Sequence, residues 1–322
     1  MTKHYLLMET FSASDFLRVL TPGFGFLSDA PSGSTMLFRG VAGKHPLVAT
    51  GFRVADSSPS TVAQVIGRQM TEFENFCTIA DREGLRIPGE SIDFRLQLTM
   101  LRGGGASYYT WPSEQFRPAL ALAQHYGLPT PLLDFTRNPL VAAYFAAESA
   151  QRATVKDNTL DITVWAVEWN GNPLQSMNGV AFVDAPMADN SNMRAQEGCF
   201  LFKPVPQDLI RQPESPFAFS GMESELAANY PKEPTLFRLT LPATMAGELL
   251  HLLSLYGVRA ARLFPGYDGV SREVRERNCY TRNEAAKLRT ENFNEWSTKM
   301  DRSEIRTTLV PTEFPPVPES TA

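Results

Sequence analysis

The run STMLFRG at residues 34–40 brings an arginine and a glycine to the end of an expected strand, and Arg39-Gly40 is the first place where this chain could do chemistry. A guanidinium is a planar fork that matches phosphate or carboxylate, and a following glycine lets the backbone approach a ligand closely. An ordinary ion pair would use the same arginine. His125 lies at the end of an expected helix beside Gly127; it could be held by local hydrogen bonds or act as a base, and with no second His or Cys at ligand spacing no metal site is expected. Asp134 stands four residues before a second helix, as a turn former or as a lock on the loop facing that helix. Asn138, followed by Pro139, suits the N-cap of that helix, whose free amides favour an anion. Further on, RAQEGCFLF reads as a glycine-interrupted strand carrying Gln196 and Glu197; alternation turns one of the two inward and leaves open which.

A cation, a carboxylate or amide, and a helix amino end together suit a phosphorylated small molecule. The rest of the chain narrows the class of partner. Thirty basic against thirty-five acidic residues leave a net charge of −5, so no global positive field exists to hold a polynucleotide. Cys77, Cys199 and Cys279 are far apart and form no CxxC pair, which argues against a disulfide scaffold or a zinc site; Cys77 and Cys199 fall on apolar periodicities, as buried inert thiols do. The start MTKHYLLMETFSASDF has no apolar signal-peptide core, and no run approaches the roughly 20 apolar residues needed to span a bilayer. A cytoplasmic protein that does not engage membranes is expected.

The elements that must position these residues follow from pattern. HYLLMET reads as a strand, SASDFLRVL as a helix capped by Ser12 or Ser14, and VAGKHP as a loop after Gly40. Residues 61–80 place Val62, Val65, Ile66, Met70, Phe73, Phe76 and Cys77 at helical spacing. LRGGGASYY is a glycine-rich connector. A helix through Phe116, Leu120 and Ala123 should stop at Tyr126, LPTPLLDF should run extended, and LVAAYFAAESA, apolar nearly all round, should be a buried helix. LDITVWAVEW and TLFRLTLP alternate as strands, and ATMAGELLHLLSLYGV is a helix ended by Gly257. RAARLFPGYDG suggests a short strand and turn. A charged helical stretch then leads to the proline-rich VPTEFPPVPESTA, whose composition predicts disorder. Strands and helices intersperse without regular βαβ alternation, which predicts an α+β fold.

Taken in order, LFRG, EFENF, LAQHYGLPTPLLDFTRNPLVAAYFA, RAQEGCFLF and LFPGYDGVSREV resemble the FRG domain, named for its F/Y-R-G motif. The resemblance implies an N-terminal extension at 1–30, an FRG domain over 31–275, and a charged helix with a proline-rich tail at 276–322. It implies an ADP-ribosyltransferase-like split β-sheet core that cradles NAD, and an NAD-dependent ADP-ribosyltransferase or NAD glycohydrolase of the kind found among toxins and antiphage defence effectors. A non-catalytic module that binds a nucleotide or protein partner is the alternative. By position, Arg39 would anchor the dinucleotide and Gln196 or Glu197 would lie where the transferases keep their catalytic glutamate. Gly40, His125, Tyr126, Asp134, Thr136 and Asn138 would line the cofactor. The acceptor, protein or nucleic acid, is unspecified, and the C-terminal helix could dock a protein partner. Where the family usually reads PTRLLDWT, this chain has Pro131 for the Arg and Phe135 for the Trp, which removes one potential partner of Asp134.

Overall fold

The computed structural model describes residues 3–21, 34–53, 60–102, 111–153, 160–170, 178–184, 190–205, 211–212, 214–217, 220–229, 233–283 and 305–312. Its strands are β1 (Lys3–Thr10), β2 (Thr35–Ala42), β3 (Leu132–Thr136), β4 (Asp161–Trp169), β5 (Ala181–Val183), β6 (Gly198–Phe202), β7 (Ala228–Asn229), β8 (Leu236–Pro242) and β9 (Ile305–Pro311). They join in the order β5-β6-β3-β2-β4-β8-β1-β7, with β9 along β1. Every pairing is antiparallel except β1 with β8. The fold is α+β, as the interspersed pattern predicts. One junction is weak: β2 pairs with β4 from Thr35 to Ala42, but with β3 only at Phe38↔Thr136, so the sheet parts between β2 and β3.

Local chemistry accounts for the helix ends. The helices are α1 (Ala13–Leu20), α2 (Val62–Arg82), α3 (Ile92–Arg102), α4 (Arg117–His125), α5 (Pro139–Ala153), α6 (Ser191–Ala195), α7 (Glu223–Leu226), α8 (Ala246–Leu255), α9 (Ala260–Leu263) and α10 (Tyr267–Asn283). Ser12 caps α1 by accepting from Asp15 N at 3.1 Å, and Thr61 with Gln64 forms a capping box on α2. Gly127 (φ 91°) ends α4 in a conformation only glycine adopts freely.

Both faces of the sheet are buried, which is why β4 is apolar almost throughout. One face packs on α1, α5 and α8, with Phe38, Val164 and Leu239 pointing into that layer. The other carries Leu37, Trp165 and Val167 against α2 and α4. In this second layer Phe73, Phe94, Trp111 and Phe116 form an aromatic nest with ring centroids 5.1–6.4 Å apart. Each such ring contributes roughly 1.5–3 kcal/mol by leaving water. Gln69, buried among them, serves the polar edges: it accepts from Trp111 Nε1 at 3.0 Å and donates to Gly51 O at 2.6 Å.

The structure departs from the sequence pattern at several points. Strand β2 does not end at Gly40; Val41 and Ala42 keep pairing with Thr163 and Ile162. RAARLF is helical, because Ala260 and Leu263 bury together against the α8 layer as one turn of α9. Helix α3 has no counterpart in the pattern. Val310 and Pro311, where the composition predicts a disordered tail, belong to β9. The glycine cluster at 103–105 and residues 284–304 and 313–322 lie outside the described residues.

Candidate functional site

Arg39 stands one residue beyond the single β2–β3 pair, at the parting of the sheet. Strand alternation puts it with Leu37 on the α2/α4 side, and its side chain is 13% exposed. Nη1 donates to Asp134 O at 2.8 Å and lies 3.5 Å from Asp134 Oδ2; among the described residues Nε and Nη2 have no protein acceptor. Burial lowers the pKa of this guanidinium, Asp134 opposes the shift, and Arg53 adds to it. The same cations reach His45: burial, then Arg53, then Arg39 hold its imidazole below the ordinary value. A protein of net negative charge therefore gathers Arg39, Arg53 and His45 at one place.

The tether on Arg39 is light. Asp134 is 58% exposed, and an ion pair with one solvated partner stabilises by about 0–1 kcal/mol, so an anionic ligand can displace it at little cost. Gln124, on the last turn of α4, holds Asp134 from behind: Nε2 donates to Asp134 Oδ1 at 2.5 Å, while Oε1 accepts from Thr130 Oγ1. Asp134 takes its charge partner from β2.

Gln196 and Glu197 are not on a strand. Helix α6 ends at Ala195, Gln196 is its C-cap, Glu197 adopts φ 49°, and β6 starts at Gly198. The turn is fixed to the β3–α5 corner: Thr136 Oγ1 donates to Gln196 O at 2.7 Å and accepts from Asn138 N at 3.0 Å, while Arg137 N donates to Glu197 O at 3.1 Å. Asn138 caps α5, accepting from Leu140 N at 3.0 Å, and its Nδ2 donates to Glu197 Oε1 at 2.8 Å. The exposed Glu197 carboxylate thus sits at the α5 amino end, where the sequence suggested a phosphate. The Gln196 side chain donates to Leu263 O at 3.1 Å, in the α8/α9 layer. Among the described residues no contact joins either side chain to Arg39.

The remaining expected residues divide in the same way. Gly40 faces away from Arg39, under α5: a Cβ there would stand 1.8 Å from Ala142 O, so this glycine makes room for a helix rather than a ligand. His125 Nε2 lies 2.7 Å from Asn192 Nδ2, a hydrogen bond that ties α4 to α6. Burial lowers its pKa, against the pull of Asp134. Tyr126 is 74% exposed, edge-on to His125. Phe135 is core. Cys77 and Cys199 are buried, and burial pushes both thiols up to about 12.

The stretch that builds this arrangement, from β2 through α5, is also the one that finds relatives: residues 34–154 match the family model of the FRG domain. The chain carries an FRG domain. No curated protein and no solved structure matches the chain. The matched span contains Arg39, Gln124, Asp134 and Asn138 of the FRG domain, while Gln196 and Glu197 lie beyond it. Within it, pattern reading missed Gln124, His45 and Arg53. Gln124 had a legible signal, a long polar side chain on the last turn of an apolar helix; His45 and Arg53 had none, since they meet Arg39 only through the tertiary path of the segment after β2. No helix among the described residues is long and apolar enough to cross a membrane, and among them no three His, Cys, Asp or Glu side chains gather as metal ligands.

Proposed function

We propose that this FRG domain binds a phosphorylated nucleotide, NAD first among the candidates, at the opening between β2 and β3. The observation that carries the reading is the state of Arg39: a mostly buried guanidinium at the parting of the sheet, lightly held by one solvated carboxylate, with two N–H edges uncommitted among the described residues and a second guanidinium, Arg53, nearby. A diphosphate satisfies this arrangement, since its oxygens accept from the guanidinium fork and relieve the mutual repulsion of Arg39 and Arg53. The commitment of Glu197 to Asn138 favours a binding module over an enzyme that uses that carboxylate.

A second reading, NAD glycohydrolysis or ADP-ribosyl transfer, draws support from the sheet parting at the arginine-bearing strand and from a carboxylate beside the guanidinium. Breaking the nicotinamide–ribose bond generates an oxocarbenium-like ribose that a nearby carboxylate would stabilise. Among the described residues the carboxylate paired with Arg39 is Asp134. NAD consumption would give the protein the chemistry of a toxin or antiphage effector. Incubation with NAD labelled in its adenosine half, alone and with protein, RNA or DNA acceptors, separates the two. Bound but intact NAD, lost in Arg39→Ala, supports the module. Nicotinamide release or label transfer abolished by Asp134→Asn and kept by Glu197→Gln supports turnover at Asp134. A wild-type protein that neither binds nor consumes NAD refutes both for this nucleotide.

A further inference from the structure

The register of the central strands aligns three side chains on one face. Arg39 stands opposite Trp165, and Trp165 stands opposite Arg238. Arg238 is 5% exposed, its guanidinium lies 5.5 Å from the centroid of the Trp165 ring, and among the described residues its Nε and Nη2 have no hydrogen-bond partner. Trp165 Nε1 is buried and has no partner among the described residues either, and the same holds for Thr163 Oγ1 on the same face of β4. Among the described residues no carboxylate forms an ion pair with Arg238; Glu9, opposite the neighbouring Thr240, is the closest in register. The indole covers the flat face of the guanidinium and takes none of its in-plane N–H groups.

A buried guanidinium with two of its three nitrogens lacking acceptors is a costly state, and native structures keep few of them. Here the unpaired groups on Arg238 and Trp165 are all donors. Water accepts weakly and brings no charge, whereas an oxyanion brings both acceptor oxygens and the missing negative charge. We propose that Arg238, with the indole N–H of Trp165, is an anion-binding subsite that takes a phosphate group of the same nucleotide. The inference rests on the nucleotide reading for the ligand's class. Two strand spacings, about 10 Å, separate the backbone of Arg39 on β2 from that of Arg238 on β8, a gap that two arginine side chains can close on one diphosphate.

Titration of the full chain with inorganic pyrophosphate, by calorimetry and by thermal shift, tests the subsite. Arg238→Met should weaken pyrophosphate binding at least about tenfold, and Trp165→Phe, which keeps a ring and removes the donor, by about threefold or more. Ligand-free Arg238→Met should unfold at the same or a higher temperature than wild type, because an uncompensated buried charge is gone. Should that variant fail to fold, Arg238→Lys and Trp165→Phe decide by the same readout. Wild-type protein that does not bind pyrophosphate, or folded variants that bind it within about twofold of wild type, overturn the proposal. Pyrophosphate binding that needs Arg238 in a protein indifferent to NAD would sink the NAD reading and leave the subsite standing. NAD binding that needs Arg39 and ignores Arg238 would do the reverse.

Discussion

Replacing Gly40 by alanine asks whether the glycine after the motif arginine serves a ligand or a helix. The added Cβ would meet Ala142 O at 1.8 Å and Ala146 N at 2.8 Å, both backbone atoms of α5. The closer approach falls short of ordinary van der Waals separation by about 1.6 Å, so β2 and α5 must move apart. Helix α5 meets the sheet through Ala142, Ala143, Ala146, Ala147 and Ala150, each at most 1% exposed, and a gap of even 0.5–1 Å forfeits roughly a quarter to a half of the dispersion attraction at each of them. Overpacking of about 1–3 kcal/mol, with the attraction forfeited along the helix, gives a destabilisation of about 3–5 kcal/mol, a large share of the roughly 5–15 kcal/mol that holds a protein folded. Because Gly40 does not have positive φ, its backbone is open to alanine, and without the clash the change would stabilise by about 0.4–1 kcal/mol through the unfolded chain. The two readings thus differ in sign. Urea unfolding followed by circular dichroism measures the difference, and pairing the change with Ala142→Gly should not rescue it, since the clash is with a carbonyl. A midpoint equal to or above that of wild type would refute the reasoning.

Other perturbations follow from the same geometry. Asn138→Ala removes both the α5 cap and the anchor of Glu197, and should cost about 1–2 kcal/mol by chemical denaturation. His45 and His125 have pKa values lowered mainly by burial, so the unfolded chain takes up protons near pH 6.5 that the folded protein still refuses; stability should hold above about pH 7 and fall as pH drops through 6.5. Thermal melts across that range should flatten when His45 and His125 are replaced by asparagine. With thiols near 12, Cys77 and Cys199 should stay unmodified by a thiol reagent at pH 7 until the protein is unfolded, as peptide mapping would show.

The parts of this fold that were legible in the sequence are those fixed by neighbours in the chain. Asn138-Pro139, Gly127 and Ser12 mark helix ends because each satisfies or spares backbone groups within a few residues. Strands β4 and β8 were legible as short runs rich in β-branched, aromatic and aliphatic residues, although both their faces are buried and the alternation expected of them is not realised. Glu197 was not, because its left-handed backbone is held by Thr136 and Arg137, some sixty residues away, against the preference of a non-glycine residue. Strand β9 pairs with β1 across nearly the whole chain, and only tertiary structure could disclose that. The role of Gly40 was half legible: its need for space shows in the glycine, but whether ligand or helix fills the space depends on the alanine-rich face of α5 arriving over β2. Arg238 left a sign as well, a lone cation inside the apolar run TLFRLTLP, whose meaning emerges only when the sheet sets it beside Trp165.

The most direct test of nucleotide recognition is calorimetric titration of NAD into wild type and into Arg39→Ala, with thermal melts of both. Since Arg39 is tied to the fold by one carbonyl and a half-solvated carboxylate, the variant should melt within a few degrees of wild type while binding NAD at least about tenfold more weakly. Equal affinity in the two folded proteins, or no binding to wild type at millimolar NAD, would contradict the assignment of the site.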